Sequence, residues 1–124
     1  MRSYTVAVAS LAIGAPARWT DNLLSQHPLP DVVSHHRGVA RRISYPALVR
    51  LAVIRQVHVG LGIGVGDAIR VAARLLDPDG TGVYSSGQMH LTVDRHALES
   101  ALQSRLAAVL ESAPMPRRGR PPQK

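Results

Sequence analysis

Apolar and polar positions along this chain fall into blocks whose period changes. "TVAVASLAIG" is apolar almost throughout and closes on Gly14, the pattern of a short helix stopped by a residue free to turn left-handed. "PARWTDNLLSQH" predicts a second helix with Pro16 in its first turn. Trp19 and Leu23 lie one turn apart on it and share a face that would pack inward, which puts Arg18, Asp21, Asn22 and Ser25 on the opposite side. Two short helices meeting at a glycine make a helix-turn-helix candidate.

Pro28 and Pro30 end that second helix. Val32 and Val33, a polar turn through Gly38, and a return from Val39 to Ile43 then predict a two-stranded hairpin. Ser44 is placed to cap a third helix with Pro46 in its first turn. Apolar residues at 48, 51, 52, 54 and 57 leave Arg50, Arg55 and His58 as its main polar positions, so it should be largely buried. A glycine-rich break at 60–66 separates it from a shorter amphipathic helix ending near Leu76. "DPDGTG" reads as a turn, and "VY" and "MHLTV" as short strands joined through "SSGQ". Asp94 caps a last helix to about Ser112, with Leu98, Leu102, Leu106, Val109 and Leu110 along one stripe. That stripe must cover either the core of its own subunit or a helix of a second one. Beyond Pro114 the chain is Pro, Arg and Gly, too poor in apolar residues to fold.

Composition supports a mainly α fold. The 124 residues suffice for one modest core, and with 45% apolar content, no Phe, one Trp and three Tyr, that core must be built of Leu, Val, Ile and Ala. The absence of cysteine excludes disulfides and thiolate metal sites and suits a reducing cytoplasm. No run approaches the roughly 20 apolar residues that span a bilayer. The opening "MRSYTVAVASLAIGAPA" ends in A-x-A like a secretory signal, but its single Arg and its interrupting Ser, Thr and Tyr argue against one. The net charge of +7 is uneven: residues 1–76 and 114–124 are basic, and residues 77–113 carry an acidic excess. Clustered arginine at this overall charge points to a polyanion, most simply nucleic acid.

Other chemistries fit poorly. His35 and His36 are adjacent, so on an extended strand they point to opposite faces, with no carboxylate beside them to complete a metal site. The glycines of "GLGIGVGDAIR" follow a helix rather than the strand that a dinucleotide fingerprint requires. "DPDGTG" lacks the bidentate glutamate of a calcium loop, because Gln88 stands at the twelfth position. No nucleophile or paired carboxylates suggest catalysis, and no cofactor or metal is expected.

The segments "VASLAIGAPARWTDNLLSQHPLP", "RGVARRISYPALVRL" and "LGIGVGDAIRVAARLL" together resemble the winged helix-turn-helix of MerR-like and excisionase-like DNA-binding proteins over about residues 4–76. The resemblance implies a recognition helix after the Gly14 turn and a wing ending in the basic pair Arg41 and Arg42. It departs from the family at the recognition helix, which usually carries several basic residues and here has only Arg18, partly opposed by Asp21. Arg18 and Asn22 suit base edges or phosphates, and Asp21 suits either orienting Arg18 or accepting from a cytosine amine. Ser25 shares that face. His35, His36 and Arg37 at the wing tip, with Arg41 and Arg42 behind them, suit the backbone or minor groove. The tail "PRRGRPP" resembles an AT-hook through Arg118, Gly119, Arg120 and Pro121, preceded by Arg117. Gly119 would let the backbone enter a narrow minor groove while the flanking arginines follow its floor.

The expectation is therefore a winged helix-turn-helix with a short β-hairpin wing, a following helical segment and a C-terminal amphipathic helix. Residues 1–76 would bind DNA, 77–113 would pair subunits, and 114–124 would form a basic hook. The function expected is that of a cytoplasmic, nucleoid-associated, sequence-specific regulator of transcription, a homodimeric repressor whose tail binds the A·T minor groove, although nothing in the sequence separates repression from activation. An architectural or recombination-accessory factor is the alternative, as is the antitoxin of a toxin pair, which would hold a protein partner through the C-terminal helix.

Overall fold

The structure, a computed structural model, describes residues 3–30, 32–33 and 41–112. It is mainly helical, with two small antiparallel sheets. Helix α1 (Val6–Ile13) starts where the Thr5 hydroxyl accepts from the Val8 N–H and stops at Gly14, whose φ of 72° is left-handed. Only glycine takes that conformation without penalty, and the Gly14 and Ala15 N–H groups close the helix by donating to Leu11 and Ser10. Helix α2 (Ala17–Gln26) follows directly; Pro16 sits one position outside its first turn, and the Pro16 carbonyl accepts from Trp19 and Thr20. The Ser10 hydroxyl donates to that of Thr20 at 2.7 Å inside the core, so the two helices are pinned by a buried polar pair.

The expected hairpin strands are present as β2 (Val32–Val33) and β3 (Arg42–Ser44), in antiparallel register with Val32 opposite Ile43. The sequence pattern did not anticipate β1 (Ser3–Tyr4), which pairs with the other edge of β3 and makes it the centre of a three-stranded sheet. Ile43, flanked by Tyr4 and Val32, is fully buried. Ser44 then caps α3 (Tyr45–Arg55) by accepting from the Ala47 N–H, with Pro46 in the first turn as expected. Leu48, Leu51, Val53 and Ile54 are inaccessible to solvent or nearly so, and α3 is the central helix of the core.

The glycine-rich break ends this helix as expected, but the last turn before it, Gln56–Gly60, is π-helical, and the chain then turns at Gly62. Helix α4 (Val65–Leu75) buries Ala68, Val71, Ala72 and Leu75, a stripe at helical spacing. Strands β4 (Val83–Ser86) and β5 (Met89–Thr92) form a hairpin closed by Gly87 and Gln88, two residues tighter than the sequence suggested because Ser85 and Ser86 extend the first strand. Asp94 accepts from the Ala97 N–H and starts α5 (Arg95–Ser112).

Helix α5 packs chiefly on α1 and also touches α3. Leu102 and Leu106 are buried in the same core as Ala9, Leu23 and Leu48, so this part of the stripe covers the chain's own interior, whereas Leu110 is exposed. The Tyr45 hydroxyl ties the start of α3 to α5, donating to Glu99 at 2.9 Å and accepting from Gln103 at 3.0 Å. Burial raises the pKa of Tyr45 above the ordinary tyrosine value, and the Glu99 carboxylate adds to the effect. Among the described residues no helix is long and apolar enough to cross a membrane.

Candidate nucleic-acid interface

Helix α2 turns two chemically different faces to its surroundings. Thr20, Leu23 and Leu24 are buried, and Trp19 packs beside them, while Arg18, Asp21, Asn22 and Ser25 are all exposed. The side expected to face a partner is therefore the side that faces solvent. Arg18 and Asn22 are one turn apart on it, and among the described residues neither has a hydrogen-bond or ion-pair partner.

The sequence reading gave Asp21 the option of orienting Arg18. In the structure Asp21 is held by Arg41, whose guanidinium donates to the Asp21 carboxylate at 2.6 Å and to the Ser25 hydroxyl at 3.1 Å. Arg41 immediately precedes β3, so this fork ties the strand pair to the exposed face of α2. Such a partly exposed pair contributes little to stability, about 0–1 kcal/mol, but the two-pronged contact fixes where the guanidinium lies. Its effect is positional, bringing Arg41, Asp21 and Ser25 into one cluster beside Asn22. Arg42 points elsewhere: it donates to the Ser3 hydroxyl and carbonyl at 3.1 and 3.3 Å and fastens β1 to the sheet. His35, His36 and Arg37, and the tail residues Arg117, Arg118, Gly119, Arg120 and Pro121, lie outside the described residues.

Beneath α2 is a feature that sequence reasoning missed. The Trp19 ring is stacked on the His58 imidazole, with centroids 6.0 Å apart and planes inclined by 23°, and the Arg55 guanidinium sits 4.8 Å from the Trp19 ring centre. The attraction of a guanidinium to an indole contributes about 0.5–2 kcal/mol and sets the orientation of the ring. His58 is itself fixed by a 2.7 Å contact between its Nδ1 and the Ile63 carbonyl. Arg55 and His58 stood out in the sequence as polar residues on an otherwise apolar helix, which was the available signal. Their partner was not visible, because it lies on a different helix.

A second polar anomaly on α3 is Arg50, whose Nε is buried with no hydrogen-bond partner among the described residues. Arg105 of α5 donates to the Ala12 carbonyl at 3.3 Å, a suitable place for a cation because the last carbonyls of α1 lack helical partners. The α1–α2 pair is thus shaped by Gly14 at the turn, held at the end of α1 by Arg105 from α5, and held at Trp19 of α2 by Arg55 from α3. Comparison with protein-family models, with curated proteins and with solved structures finds no match to this chain.

Proposed function

We propose that this protein is a regulator of transcription that binds double-stranded DNA through a winged helix-turn-helix. The observation that carries the reading is the exposed polar face of α2, presented just after a tight turn and joined through Arg41 to the strand pair that follows. A short helix braced from behind and bearing Arg18 and Asn22 outward has the size and chemistry of a major-groove reader. The β2–β3 pair follows that helix in the chain and would serve as its wing, and the basic balance of residues 1–76 favours a polyanion.

On this reading Arg18 and Asn22 contact base edges or nearby phosphates, and Arg41 supports the helix while approaching the backbone. The tail around Arg118 and Arg120 adds a tethered minor-groove contact, which raises its local concentration on the same DNA. Two copies of the chain on paired half-sites would act as a repressor by occupancy. The reading is tested by the salt dependence of binding. If about four phosphates are neutralised, affinity falls about 100-fold between roughly 50 and 200 mM salt. An affinity that does not change over that range rules the interface out.

A further inference from the structure

Behind the α1–α2 turn lies a cleft of about 580 Å³, between the end of α1, the junction of α3 with the π segment, and the first half of α5. A smaller hollow of about 220 Å³ adjoins it, and Gln56, Gly60, Thr92, Val93 and Leu98 line both. The smaller one is walled by hydrocarbon from Val53, Val57, Leu75 and Leu91. Exposed Val59 and Leu61 stand at the rims of the cleft and the hollow respectively. Among the described residues lining the larger cleft, the charged groups are two guanidiniums, Arg55 and Arg105, and one carboxylate, Asp94, which is engaged in capping α5.

An apolar hollow adjoining a cleft lined by two arginines matches a ligand with a hydrocarbon body and an anionic head. We propose that this cleft binds a small amphipathic carboxylate and that its occupancy is transmitted to α2. Both arginines of the site also contact the helix-turn-helix: Arg55 lies over the Trp19 ring of α2, and Arg105 holds the Ala12 carbonyl at the end of α1. A carboxylate drawing on either guanidinium changes the contact it makes with that unit. Gln56 and Gly60 of the shared wall belong to the π segment, a helical irregularity found often at functional sites. Binding of the carboxylate does not depend on the DNA-binding reading, whereas its consequence for DNA affinity rests on it. That consequence is reciprocal, so DNA alters ligand affinity by the same factor as ligand alters DNA affinity.

The test uses the full chain without DNA, octanoate as probe and octan-1-ol as the neutral control. Calorimetry reads binding, and the emission of Trp19, the one tryptophan of the chain, reads the coupling. Octanoate should bind saturably and about tenfold or more tighter than octanol, with a change in Trp19 emission. Arg105→Gln should weaken octanoate by about tenfold, and Ala101→Phe, at an exposed position lining the cleft, should block it without altering the circular dichroism spectrum. Failure of octanoate to bind, equal binding of octanol, or undiminished binding to Ala101→Phe would overturn the site. Saturable binding that leaves Trp19 emission unchanged would overturn the coupling. Because no DNA is present, none of these outcomes depends on whether α2 reads a base sequence.

Discussion

Ser10 and Thr20 are the buried polar residues of the described core, and each is the other's partner. Removing one hydroxyl leaves its mate without a hydrogen bond in a place that water does not reach, whereas removing both leaves apolar groups of similar shape. Ser10→Ala should therefore destabilise the fold by about 1–3 kcal/mol, and Ser10→Ala combined with Thr20→Val should recover most of that loss in urea unfolding. A double variant as unstable as the sum of its parts would show that the pair does not act as a unit. The same logic of pairing explains why single residues misled the sequence reading. Asp21 and Arg41 are separated by 20 positions, and nothing local to either one announces the other. Trp19 and Leu23 were assigned inward correctly, because helical spacing alone decides which residues share a face.

The features of the elements that could be read in advance are those set by local chemistry. Gly14 ends α1, Ser44 and Pro46 start α3, and Asp94 starts α5, each through a cap or a backbone preference that needs only a few neighbouring residues. Strand β1 was not legible: two residues carry no period, and Ser3–Tyr4 is a strand only because the edge of β3 is there to pair with it. The π geometry was not legible either, since residues 56–60 carry the ordinary helical pattern up to Gly60 and nothing in it marks a wider turn. For α5 the pattern gave the stripe but left open what it covers. Leu102 and Leu106 answer for their part of it by sitting in the core with α1 and α3. Leu102→Ala should accordingly cost about 2–5 kcal/mol, independent of protein concentration, in chemical denaturation. Leu110→Ala, on the exposed end, should stay within about 0.5 kcal/mol of wild type. A large, concentration-dependent loss from Leu110→Ala would instead assign that end of the helix to a second subunit.

At the scale of the molecule, the basic first part, the acidic middle and the basic tail give the chain an uneven charge of the kind that favours a polyanion. One core joins α1, α2 and α3 to α5, so the residues expected to form a separate pairing unit also support the helix that carries Arg18 and Asn22. The mainly helical class followed from composition, because a core without Phe and with a single Trp is made from aliphatic side chains that favour helices. The exposed face of α2 followed from spacing. Its bracing by Arg41 and Arg55, and the hold of Arg105 on the end of α1, did not, since each of these arginines meets its partner across the fold. The central claim, that α2 reads DNA, is met most directly by fluorescence anisotropy on a genomic fragment selected by the wild-type chain, comparing wild type with Arg18→Ala/Asn22→Ala. Both substitutions lie on the exposed face and should leave the fold intact. The account predicts a loss of about 10- to 100-fold on the selected fragment and a smaller loss on unrelated DNA of equal length. Equal affinity of the two proteins for the selected fragment would contradict it.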